Sequence, residues 1–394
     1  MVPETEIRER IGRLQKLLQE EGIELALLRQ NADLYYFAGT VQDCHMLIPA
    51  VGDPILLVWR VCERAAAESP VRRIEPLHGL SRLREIVRKY RFDRPRKIGL
   101  EMDVLPAELY IYYTERVWPS TPVAGITHLV RTVRSRKSRW ELEQIRSASD
   151  QIAGAVKQVP EILRPGITEL EFASEIESVL RKTGHPGYLR MRGWNQEMGM
   201  GQILSGPEGA VPAWINTPAG GTGINPAFGQ SSCLRRILPG EPVTVDLGGS
   251  FQGYFSDQTR TFCIHGLPDF LVEAYQCLLE LHHGIEDRLV PGAVCSDIYD
   301  WAMGEMEAAD HGERFMGFQG SQVRFVGHGV GVEIDEYPFL AAKNRMRLAP
   351  DMVVAVEPKL AFREVGLIGI EDTYLIGEAG AERLTSSPQE IIVC

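Results

Sequence analysis

A chain of 394 residues is too long for one ordinary domain and suits two; with 44% hydrophobic and 24% charged residues it has the composition of a globular protein with ample core. A net charge of -11 speaks against a nucleic-acid surface, which needs clustered Lys and Arg, and leaves small molecules or short peptides as the expected partners. The seven cysteines (Cys44, Cys62, Cys233, Cys263, Cys277, Cys295, Cys394) are odd in number, scattered and without CxxC spacing, so neither a disulfide framework nor a zinc ribbon is expected and a cytoplasmic location fits.

The N-terminal stretch MVPETEIRERIGRLQ alternates charge with Ile and Leu, and no apolar run reaches the ~18 residues of a membrane span. Neither an export signal nor a membrane segment is expected. The first element is an amphipathic helix with Ile7, Ile11, Leu14, Leu17 and Leu18 on one face, ending near Gly22. Strand-like runs (ELALLR, HMLIPAV, PILLVW) then alternate with helix-like ones (CERAAAES, SRLREIVRKY) up to about residue 130, the pattern of a small α/β domain. RTVRSRKSRW is the sharpest shift in composition, a basic linker leading to a helix with Ser138 as N-cap and Glu141 at capping-box spacing. The expected domains are therefore 1–133 and 134–394.

The second domain carries a faint internal repeat, because Leu163-Arg-Pro165-Gly166 and Leu289-Val-Pro291-Gly292 each precede an amphipathic helix. PVTVDLGG and YFSDQTRTFCI read as a hairpin; with its loop centred on Phe251 and Gln252, Asp246 lies directly opposite Asp257. Two facing carboxylates are destabilising unless they share a cation, which makes them sensible as metal ligands. MVVAVEPKL returning through GLIGIEDTYLI brings Glu357 near Glu371. Alternation sends Glu371 and Asp372 to opposite faces, without saying which joins the cluster. His328 stands in FVGHGVGVEIDEYP, where glycines let backbone approach closely. His282 and His283 read as the end of a helix near Gly284, and TPAGGTGINPAFG as a mobile loop over the site.

The segments VDLGGSFQGYFSDQTRTF, VGHGVG, VEPKL and GIEDTYLI resemble the metal motifs of the pita-bread metallopeptidases, a superfamily that includes methionine aminopeptidase, aminopeptidase P, prolidase and creatinase, the last of which lacks these ligands. The resemblance covers roughly residues 134 to 394, and the first domain is similar in layout to the N-terminal domain of the prolidase and creatinase branch. It implies an α+β pita-bread catalytic domain behind a smaller α/β domain. It also implies a dinuclear site of two divalent ions (Mn, Fe, Co or Zn) held by Asp246, Asp257, His328, Glu357 and Glu371. Asp257 and Glu371 would touch both ions, Asp246 would complete one site, and His328 with Glu357 the other. A hydroxide bridging the ions would attack a carbonyl, with Glu357 as the catalytic proton shuttle. A homodimer is implied by the same resemblance.

Two departures stand beside the matches. Peptidases of this group carry a histidine in the segment that reads here as LSGPEGAVPAWINTP, and another seven residues beyond the ligand histidine; this chain has Ala213 and Asp335. Losing donors that stabilise an oxyanion impairs ordinary peptide hydrolysis. An acid at 335 suits a cationic group, which Trp214 and Trp194 could flank by cation–π attraction. Arg192, with Arg190, could receive a substrate carboxylate, and Arg260 could order the ligands from behind. The expected function is metal-dependent hydrolysis of a small amide or peptide, of the Xaa-Pro aminopeptidase and dipeptidase kind. A hydrolase or lyase of a small cationic zwitterion is the first alternative, and an inactive binding protein that retains the fold is the second.

Overall fold

The stripe carrying Ile7, Ile11, Leu14 and Leu18 is buried along a helix spanning Glu4–Glu20, with Leu17 half-buried at its margin. The computed structural model describes residues 1–318 and 320–394. The chain divides into two compact units, Met1–Arg134 and Ser135–Cys394.

The first unit is built on a six-stranded sheet of β1 (Leu25–Leu28), β2 (Cys44–Pro49), β3 (Ile55–Val58), β4 (Ile74–Pro76), β5 (Ile98–Leu100) and β6 (Val123–Gly125), in the order β4-β3-β2-β1-β5-β6. β1 runs antiparallel to β2 and parallel to β5, so the sheet is mixed. Every residue of β1, β2 and β3 is buried, as expected of strands covered on both faces. The basic linker is partly helical, over Thr127–Ser135, and its Arg134 is buried 2.6 Å from Asp33. A charge placed there is paired, as burial demands.

The second unit repeats one plan twice. Helix Arg139–Val156 opens with a Ser138/Glu141 capping box, and helix Glu169–Lys182 with a Thr168/Glu171 box, each satisfying otherwise orphaned backbone N–H groups. The second half supplies helices Asp269–Glu286 and Cys295–Ala308. The two Pro-Gly turns are equivalent: Gly166 and Gly292 adopt φ of 82° and 90°. Two residues beyond each, Thr168 bridges Arg236 and Val294 bridges Arg347.

Each helix pair covers a sheet. The first comprises β7 (Gly201–Ser205), β8 (Val243–Phe251), β9 (Tyr254–Cys263) and the late strand β17 (Ile392–Val393), ordered β17-β9-β8-β7. The second comprises β10 (Phe325–Gly329), β11 (Glu336–Ala341), β12 (Val353–Val356), β15 (Asp372–Ile376) and β16 (Ala381–Arg383), ordered β11-β10-β12-β15-β16. A hairpin of β13 (Lys359–Phe362) and β14 (Gly366–Gly369) forms a separate two-stranded sheet. Each half has its own core, Ile152, Phe172, Val245 and Phe262 in one and Leu278, Ile298, Val354 and Tyr374 in the other. This is the α+β layout expected of the pita-bread fold. Helix Asp269–Glu286 does not end at Gly284: Trp301 packs where a side chain at 284 would stand, and the helix runs past it.

Candidate metal centre

The site begins at the β8–β9 hairpin, where Phe251 pairs with Tyr254 and leaves Gln252 and Gly253 as the turn, both at positive φ (47° and 79°). Two such residues match the primed turns whose twist suits a hairpin. Asp246 therefore faces Thr259, and Asp257 faces Gly248. The expected register, centred on Phe251 and Gln252, is wrong by one residue in the turn and by two across the ladder. A shift of two preserves the face, so both carboxylates still point to the same side.

The other carboxylates come from a hairpin interrupted at one place. Val356 pairs with Asp372 and Lys359 with Gly369, while Glu357 and Glu371 lie between the two ladders. There the backbone turns to other strands: Glu357 N–H donates to Val326 O at 3.0 Å and Glu371 N–H to Thr259 O at 3.1 Å. Glu371 is thereby stitched to β9 and Glu357 to the strand of His328, which joins the two sheets at the cluster. The close approach expected around His328 is to neighbouring backbone, since a Cβ at Gly327 would stand 2.5 Å from Ala355 O.

All five expected residues converge. His328 Nε2 lies 3.4 Å from Glu357 Oε1, 3.9 Å from Glu371 Oε1 and 4.0 Å from Asp257 Oδ2. Asp257, His328 and Glu371 offer ligand atoms within 4.8 Å of one another. Among the described residues Glu371 Oε1 is buried without a hydrogen-bond partner, an orphan that a bound cation would satisfy. Thr259 Oγ1 donates to Glu371 Oε2 at 2.8 Å, and Thr373 Oγ1 to Asp257 O at 2.8 Å. Arg260, as expected, supports from behind, with its Nη1 bonded to Glu371 O at 2.7 Å and Nη2 to Asp372 Oδ1 at 2.6 Å.

A sixth member was missed by the sequence reading. Lys359 is 2% exposed, and its Nζ lies 2.6 Å from Glu357, 3.1 Å from Asp246 and 3.3 Å from Glu371. The signal was present in VEPKL, because two-residue spacing along an extended segment puts Lys359 on the face of Glu357.

The electrostatics follow from crowding. Burial raises the Asp246 and Asp257 carboxyls above their ordinary range, Asp257 the more because Glu371 stands beside it. Burial also lifts Glu371 to about 7 against the pull of Lys359. Burial would lift Glu357 too, but the charge of Lys359 and the contact with His328 hold it at about 2. His328 is lowered by burial and raised more strongly by Glu357, to about 9. Four carboxylates with one ammonium are short of positive charge, and a divalent ion suits the donor set of oxygens and one imidazole.

The cluster forms one wall of a cavity of about 250 Å³, near the lower edge of small-molecule sites. Leu189, Met191, Met198, Phe325, Ile334 and Phe339 supply apolar walls, and Asp335 lines it as well. The other candidates lie elsewhere. Ala213 and Trp214 border a separate cavity of about 1080 Å³ that shares Asn216, Thr217, Phe325 and Phe339 with the first; Trp214 is 50% exposed. Trp194 is 85% exposed and lines neither. Arg192 is buried, 3.6 Å from Glu333, and its backbone N–H donates to Asp335 Oδ1 at 3.1 Å. It positions the acid instead of facing the cavity. In the glycine-rich loop, Gly220 and Gly221 are buried and hydrogen-bonded to Val211 and Ser231.

A doubled helix-and-sheet unit with an acidic, histidine-bearing cavity at its seam is the architecture of a metallopeptidase. Residues 143–378 match metallopeptidase family M24, and residues 10–136 match the creatinase/prolidase N-terminal domain. The chain belongs to metallopeptidase family M24, whose peptidases are metal-dependent. It is 26% identical over 393 residues to a Xaa-Pro dipeptidase of Pyrococcus furiosus, covering 98% of this chain and 100% of that protein. Among solved structures it resembles a Xaa-Pro dipeptidase from Bacillus anthracis, with a TM-score of 0.84, 26% identity and coverage of 98% and 100%. The prolidase of Pyrococcus horikoshii shares the fold at a TM-score of 0.81 and 24% identity, over 98% and 100% of the two chains. Among the described residues no helix is long and apolar enough to cross a membrane.

Proposed function

We propose that this chain hydrolyses a small amide or short peptide, of the Xaa-Pro dipeptidase kind, with Asp257, His328, Glu357 and Glu371 holding a divalent metal ion beside the scissile bond. The observation that carries this reading is the convergence of an imidazole and three carboxylate oxygens on one wall of a cavity. A divalent ion held there supplies Lewis acidity and lowers the pKa of water. Glu357, on the cavity wall, accepts a proton from the attacking water and returns it to the leaving amine. The apolar walls lower the local dielectric, which strengthens each electrostatic contact inside.

Asp335 shapes the choice of substrate. With its Oδ1 accepting from the Arg192 backbone N–H, it adds a carboxyl group to the cavity lining, a surface suited to a substrate ammonium. That favours small substrates with a free amine. The same acid, in a lining that also includes Phe325 and Phe339, supports a second reading in which the substrate is a compact cationic zwitterion. Neither Trp194 nor Trp214 contributes to that wall. The seven unpaired cysteines support a reducing compartment. Metal-loaded protein assayed against Xaa-Pro dipeptides, betaine-like acids and guanidino acids separates the readings: cleavage of the dipeptides supports the first, and turnover of the zwitterions alone supports the second.

A further inference from the structure

The oxygens of the cluster are divided between two cations' worth of space. Glu357 Oε2, Glu371 Oε2 and Asp246 Oδ2 close around Lys359 Nζ at 2.6, 3.3 and 3.1 Å. Glu357 Oε1, Glu371 Oε1 and Asp257 Oδ2 turn instead to His328 Nε2, and it is Glu371 Oε1 that has no hydrogen-bond partner. One half of the cluster therefore already contains a fixed positive charge, and the other half contains the one cluster oxygen left, among the described residues, without a hydrogen-bond partner.

The lysine is accommodated by the fold. It pairs with Gly369 across the β13–β14 ladder, and a Cβ at 369 would stand 2.6 Å from Lys359 Cγ. Any side chain at 369 would push the lysine stem aside. The ammonium does not line the substrate cavity; it sits behind Asp246, Glu357 and Glu371, which do. Charge agrees with geometry: four carboxylates, one ammonium and one divalent ion leave a single negative charge, whereas a second divalent ion would share Asp246 and Glu371 with an ammonium already in contact with both.

We infer that Lys359 takes the place of one of the two metal ions of the expected dinuclear arrangement, and that this chain binds a single divalent ion, at Asp257, His328, Glu357 and Glu371. The inference rests on the metal-dependent reading of the site, and its test reads metal directly. Full-length wild type, Lys359→Gly and His328→Ala are loaded with excess Mn2+, desalted, and measured for metal per chain and by electron paramagnetic resonance, with circular dichroism as a check of folding. The expected result is one ion per chain with the spectrum of isolated Mn2+ in wild type, two exchange-coupled ions in Lys359→Gly, and none in His328→Ala. Two coupled ions in wild type, none in wild type, or a folded Lys359→Gly that still binds one would overturn it. If Lys359→Gly does not fold, the wild-type spectrum with the His328→Ala count decides alone. Hydrolysis is scored separately: two ions with dipeptide cleavage would remove this inference and leave the proposed function, while one ion without turnover would do the reverse.

Discussion

Glu371 and Asp372, adjacent in sequence, face opposite sides of one extended segment: Glu371 Oε2 accepts from Thr259 Oγ1 at 2.8 Å, and Asp372 Oδ1 from Arg260 Nη2 at 2.6 Å. Arg260 grips both, through Asp372's carboxylate and Glu371's carbonyl. Glu371, the proposed metal ligand, is thus backed by an ion pair on the other face of its own extended segment. Arg260→Ala leaves Asp372 buried with its main counter-charge removed, at a cost of about 3–5 kcal/mol. Denaturant unfolding measures that loss; a change under ~1 kcal/mol would remove Arg260 from this role.

Asp372 also sets a pH dependence. Its burial opposes ionisation, but the charge of Arg260 prevails and holds the carboxyl well below the ordinary 3.8. A carboxyl depressed in the folded state stabilises above its unfolded pKa of about 3.9, and that stabilisation is lost as pH falls toward the folded value. The stability difference between wild type and Asp372→Asn should therefore be full at pH 6 and shrink below about pH 4. A difference constant with pH would contradict the assignment.

Glu357→Gln keeps the shape of the residue and removes its capacity to carry a proton. Turnover should fall by about 10²–10⁴-fold with secondary structure unchanged. Steady-state kinetics on the best substrate of the panel measure it, and retention of more than a tenth of the activity would exclude Glu357 as the proton carrier.

At Asp335 the expected change is a gain. Asp335→His replaces a carboxyl group on the cavity wall with a hydrogen-bond donor able to stabilise a developing oxyanion. Xaa-Pro dipeptidase kcat should rise, on the order of tenfold or more, while affinity for substrates with a free amine falls. No change in a variant with full metal occupancy would count against this account of the position. Trp194→Ala, at a site 85% exposed and away from the cavity, should leave both parameters within about twofold.

Much of the site was legible in the sequence because its parts lie on strands, where alternation fixes the face even when register is misjudged. The β8–β9 hairpin shows this, since a turn centred on Gln252 and Gly253 moved Asp257 from Asp246 to Gly248 without removing it from the cluster. What alternation could not supply was the partner across the sheet. Lys359 stood in VEPKL beside Glu357, yet its role depends on Asp246 and Glu371, brought in from distant segments. The tryptophans were harder to place: Trp194 and Trp214 lie in irregular segments with no period to orient them, and neither lines the cavity of the cluster. Arg192 likewise looked like a substrate clamp, and only the fold shows Glu333 beside it.

The most direct test of the account is hydrolysis of Xaa-Pro dipeptides by the full chain, measured before chelation, after removal of metal, and after stoichiometric readdition of Mn2+ or Co2+. The account predicts cleavage that disappears with the metal and returns with it. Equal cleavage by the metal-free protein, or no cleavage of any dipeptide by protein with its metal site filled, would contradict it.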